Sequence, residues 1–114
     1  MNNLNKSVVK EDDYFQLTYK TTIGGSEVML VGESLDDGSM EVSFTVDGTF
    51  TKHNSKHRVA ITRWLLKCWK DMSLQHHSFF CEPKGGTDSW RGSIYKKLGF
   101  KRVDNEIMTK GRFR

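Results

Sequence analysis

Near residue 54 the hydrophobic period of the chain changes from that of a strand to that of a helix, and that change limits what it can fold into. Before it, Met40-Glu-Val-Ser-Phe-Thr-Val46 alternates strictly, with Met40, Val42, Phe44 and Val46 on one side and Glu41, Ser43 and Thr45 on the other. After it, Val59, Ile61, Trp64, Leu65, Leu66, Cys68, Trp69 and Met72 recur at helical spacing. Asn54 or Ser55 can cap the helix at its start, so the pattern predicts a helix from there to about Met72. Arg63, Lys67, Lys70 and Asp71 share one narrow polar face, and a helix otherwise so apolar has to lie against a sheet.

The flanking segments extend this pattern in both directions. Tyr14 to Lys20 and Glu27 to Val31 read as strands joined at Ile23-Gly24-Gly25, and Leu35-Asp-Asp-Gly38 is a hairpin signal leading into Met40. Ser78 to Glu82 reads as a short buried strand, Pro83 to Gly86 as a loop, and Asp88 to Leu98 as a second helix with Asp88 at its N-cap. Gly99 stands where the chain must turn left-handed to stop that helix, and Phe100 can fold back toward Tyr95 in a Schellman cap. Phe100 to Met108 is then a last strand. The predicted order is β-β-β-α-β-α-β, an α/β mixed sheet in one domain from residue 13 to 114. Residues 1–12 carry no pattern and are expected to be a flexible tail.

A chain of 114 residues with thirteen aromatics can bury one core and little beyond it. No run nears the ~18 apolar residues that a membrane span needs, and the first residues lack the apolar region of a secretory signal. Cys68 and Cys81 fall inside apolar runs and read as buried thiols of a cytoplasmic protein. The net charge of +4 favours anionic partners. Positive charge concentrates between Lys52 and Lys70 and between Lys96 and Arg114, whereas Glu11-Asp12-Asp13 and Asp36-Asp37 are acidic. His53, His57, His76 and His77 fall in no zinc-binding spacing with the cysteines, so no metal is expected.

Ser93-Ile-Tyr-Lys-Lys-Leu-Gly-Phe100 resembles the C-terminal signature of the GNAT (GCN5-related N-acetyltransferase) superfamily, and the predicted order over about residues 14–109 is similar to the C-terminal core of that fold. The family's first strand and two leading helices have no expected counterpart here, which leaves the acceptor side open or covered by a second subunit in a homodimer. The resemblance implies an N-acyltransferase using acetyl-CoA, with an amine as acceptor. Tyr95 would be the general acid and Glu41 the general base. The pantetheine arm would lie beside Phe44 and Val46, and the phosphates would meet residues 57–62. In the family's phosphate-loop register His57 takes the Gln/Arg position, while Ala60 and Thr62 take those of the two glycines. The basic segment Lys52 to Arg58 at the helix N-terminus (with Lys56, His57 and Arg58, and Val59 following) would supply charge, and Asp88 stands where the family often has asparagine. A second reading is a catalytically silent protein of this fold, of the reduced kind encoded by phages, that binds a host or virion protein. A third is a basic nucleic-acid-binding module using Lys101-Arg102 and Lys110 to Arg114.

Overall fold

The computed structural model describes residues 5–35, 39–47, 54–74 and 78–111. Seven strands form one mixed sheet: β1 (Lys6–Glu11), β2 (Tyr14–Ile23), β3 (Ser26–Ser34), β4 (Met40–Val46), β5 (Ser78–Cys81), β6 (Lys101–Arg102) and β7 (Met108–Gly111). Helix α1 (Ser55–Ser73) connects β4 to β5, and α2 (Trp90–Lys97) follows β5. The spatial order is β1-β2-β3-β4-β5-β7-β6. All neighbouring pairs are antiparallel except β4 and β5, which run parallel as the crossover helix requires.

The first four strands are a meander of hairpins. Gly24 and Gly25, both at positive φ, make the two-residue turn between β2 and β3, a geometry that matches the twist of the paired strands. Register places Leu17 opposite Gly32 and Gly32 opposite Val42, then Tyr19 opposite Leu30 and Leu30 opposite Phe44. These residues share the face on which α1 lies, and all are buried. Helix α1 adds Ile61, Leu65, Cys68, Trp69 and Met72 to the same core. Asn54 is its N-cap, with the side-chain oxygen accepting the His57 N–H at 2.9 Å. The Trp69 ring then meets Phe79 of β5 at 4.5 Å and Phe100 at 5.0 Å, which ties α1 to β5 and to the end of α2.

Three sequence expectations need correction. Residues 6–11 are a strand paired along its whole length with β2, so the expected tail is β1. The expected N-cap of the second helix moves by one residue: Ser89, not Asp88, caps α2, accepting the Gly92 N–H. The single last strand is instead a hairpin, β6 and β7, because Asp104 Oδ1 accepts the N–H groups of Glu106 and Ile107 and turns the chain between them. The expected hairpin tip at 36–38 and the segments 48–53, 75–77 and 112–114 lie outside the described residues.

The end of α2 is as the sequence predicts. Phe100 N–H donates to the Tyr95 carbonyl and Gly99 N–H to that of Lys96, both at 3.0 Å, with Gly99 at φ +100°. The Phe100 and Tyr95 rings stand 5.4 Å apart, completing the Schellman contact.

Candidate functional site

Among the described residues two pairs join β4 to β5, Met40 with Phe79 and Glu41 with Phe80. Strand β5 ends at Cys81, two residues before Pro83, whose ring nitrogen has no hydrogen to give a ladder. The outer half of β4 therefore runs on without a β5 partner, and α2 approaches its edge. Tyr95 Oη donates to the Val42 carbonyl at 3.4 Å, a long bond for a hydroxyl. Its ring lies 5.0 Å from Phe44, which also meets Trp90 at 6.1 Å. Tyr95 is 3% exposed, and this burial raises its pKa above the ordinary phenol value. The neighbouring Cys81 thiol adds to that rise, and the Phe44 backbone N–H opposes it. The hydroxyl thus stays protonated at neutral pH and gives up its proton less readily than an ordinary phenol.

A second feature adjoins α2. A cleft of about 390 Å³ opens beside the first turns of α1, lined by Ser55, Arg58, Val59, Thr62 and Arg63 with Lys97 of α2. Three of the six lining side chains are cations and two are hydroxyls. Thr62 Oγ1 donates to the Arg58 carbonyl at 2.9 Å, leaving its lone pairs toward any incoming donor. No acidic residue occupies the first turn of α1. Arginines and a helix N-terminus together suit an oxyanion, above all a phosphate.

The structure divides the residues singled out in the sequence. Arg58, Val59 and Thr62 come together in the cleft. Phe44 and Val46 are buried on the α-helical face of outer β4, and Phe44 touches Tyr95. Lys56 is exposed outside the cleft lining, and Ala60 does not line it either. The His57 ring packs on Gly24, where an added Cβ would come within 2.7 Å of Nδ1. Asp88 is exposed, 3.9 Å from Lys96. Glu41 lies half-exposed on the opposite face of the sheet from Val42, directly across from Glu33.

Ser55, Arg63 and Lys97 line the cleft without having been foreseen as site residues. For the first two a signal existed: 55, 58, 59, 62 and 63 are spaced as one side of a helix. Lys97 comes from another helix, and nothing local announces it.

The cysteines are buried and free, as the sequence predicts. Burial, with the Asp71 charge adding to it, pushes the Cys68 thiol up to about 12, and burial likewise raises Cys81. Neither is a nucleophile at neutral pH. Among the described residues no helix is long and apolar enough to cross a membrane. The chain matches no protein-family model and no curated protein.

Proposed function

We propose that the chain is a GNAT-like protein that binds an acyl-CoA and transfers its acyl group to an amine. The observation that carries this reading is the early parting of β4 from β5, with the protonated Tyr95 hydroxyl at the edge so exposed. The strand order from β2 onward, with the crossover α1 and the Tyr95-Lys-Lys-Leu-Gly-Phe100 helix end, supports it.

The residues present fit the phosphate end of acetyl-CoA. Arg58, Arg63 and Lys97 offer charge and Ser55 a hydroxyl donor around the cleft, while the Thr62 hydroxyl keeps its proton on the Arg58 carbonyl. When bound, the cofactor supplies an acyl group activated as a thioester. Burial makes the Tyr95 proton harder to release, so Tyr95 would protonate a departing thiolate only where the bound cofactor offsets that burial; the Phe44 ring covers it. Glu41 faces the side of the sheet on which no helix lies among the described residues, the side open to an amine.

A second reading, the silent binding protein, is favoured by the same aromatic cluster. Phe44, Trp90 and Tyr95 fill the space between the diverging strands, so the thioester arm enters only if those rings move. Titrating acetyl-CoA into the protein at low salt separates the two. Binding heat that weakens as salt rises, and that is lost in the Arg58→Ala/Lys97→Ala variant, supports the acyl-CoA reading. No heat, or equal heat in the variant, leaves the binding protein.

A further inference from the structure

The chain's formal excess charge of +4 resides in one element. Helix α1 holds five of the eighteen Lys and Arg and one of the fourteen Asp and Glu, which leaves thirteen of each sign elsewhere. The one carboxylate, Asp71, is not available to its neighbours in the helix: it accepts from Tyr19 Oη at 2.7 Å and from Lys6 Nζ at 2.9 Å. At 100° per residue Lys56, Arg63, Lys67 and Lys70 fall within about 60° of one another, on the side opposite Leu65 and the other core-facing residues. All four are exposed, and among the described residues none forms an ion pair. They extend along about 21 Å of helix axis. Arg63 also borders the cleft, where Arg58 and Lys97 continue the cationic surface toward α2.

The geometry points to a second binding surface on this outer face of α1, one that takes the phosphate backbone of a nucleic acid. Like charges in a straight row repel one another, and a partner with regularly spaced negative charge removes that repulsion along the whole row. The surface holds cations and no Asn, Gln or aromatic group in the row to read a base edge, so it suits sequence-independent contact. A membrane suits it less well. The exposed apolar residues near the row, Val59 at 47% and Leu74 at 80%, sit at opposite ends of the helix and form no face to insert. This surface uses none of the residues of the Lys101-Arg102 and C-terminal basic segments, and it does not depend on the acyl-transfer reading.

The test is fluorescence anisotropy of the full chain with a labelled mixed-sequence 20-base-pair DNA duplex, at several salt concentrations. Three to four phosphate contacts give a log–log salt slope between about −2.7 and −3.6. Lys67→Glu/Lys70→Glu lies outside the cleft. It is expected to raise Kd at least tenfold and to flatten the slope by about 1.8, with the circular dichroism spectrum unchanged. Arg58→Ala/Lys97→Ala, by contrast, is expected to leave most of the duplex affinity, which tells this surface from the cleft. Three results would each overturn the proposal: no duplex binding at low salt, equal affinity in the Lys67/Lys70 variant, or binding to phosphatidylserine vesicles without binding to the duplex.

Discussion

The ring of Tyr95 packs between Phe44 and Phe100, while its hydroxyl lies at the unpaired edge of β4, so one substitution separates the two contributions. Tyr95→Phe keeps the ring. Losing the hydroxyl leaves the Val42 carbonyl without that donor, which is expected to cost about 1 kcal/mol in urea unfolding. Where the hydroxyl also serves as general acid, turnover falls ~10²–10⁴-fold. Both are measured on one preparation, and full turnover at reduced stability removes the catalytic role. Asp71 provides a second residue-scale test. The hydrogen bond from Tyr19, and then that from Lys6, holds its carboxyl below the ordinary value of 3.8. A depressed carboxyl contributes stability above its unfolded pKa and loses it as pH falls through the folded one. Asp71→Asn should therefore destabilise the protein at pH 7, by an amount that begins to shrink near 3.8 and vanishes only as pH falls through the lower, folded pKa. A gap that stays constant down the whole acid limb of a pH series would show that the charge contributes nothing.

At the scale of elements, close packing singles out two glycines. A side chain at Gly92, inside α2, would run into the backbone carbonyl of Thr87. Thr87 itself is fixed, since its N–H donates to the Asn105 carbonyl at 2.9 Å and its hydroxyl to that of Asp104 at 3.2 Å. At Gly32 the added Cβ would meet the flexible ends of Met72 and Met40, at 2.7 Å for Met72 Sδ. Gly92→Ala is expected to cost more than about 2 kcal/mol, and Gly32→Ala less than about 1.5. Thermal or urea unfolding checks the order, and a reversed order would mean that α2 slides more freely than its packing indicates. The same elements show what the sequence could convey. Met40 to Val46 and Ser55 to Ser73 each bury one side, so their period is written in their residues. Strand β1 is exposed at all six positions and has no such period. Its one signal was Asp12-Asp13, the two-residue turn set against Tyr14. The divergence of β4 from β5 could be anticipated at Pro83, but the meeting of Lys97 with Arg58 and Arg63 depends on how two helices lie together, which no local pattern contains.

In the whole molecule both edges of the sheet carry cations. Strand β1 has Lys6 and Lys10, and β6 is Lys101-Arg102 alone, a device that discourages edge-to-edge pairing with other chains. The two pairs between β4 and β5 make the sheet two leaves on a narrow spine. The first leaf, residues 6–46, is built of hairpins between neighbouring segments, whereas the spine joins residues thirty-nine positions apart. Short loops close at lower entropic cost than long ones, so the order of assembly follows from this arrangement: the hairpins of the first leaf form early, and the spine closes late. Val28→Ala in β3 is then expected chiefly to slow refolding, and Phe79→Leu in β5 chiefly to hasten unfolding, as stopped-flow fluorescence would record. The opposite partition would place the spine in the folding nucleus. On the expected order, the diverging edge beside Tyr95 is the last part of the sheet to assemble and the first to open.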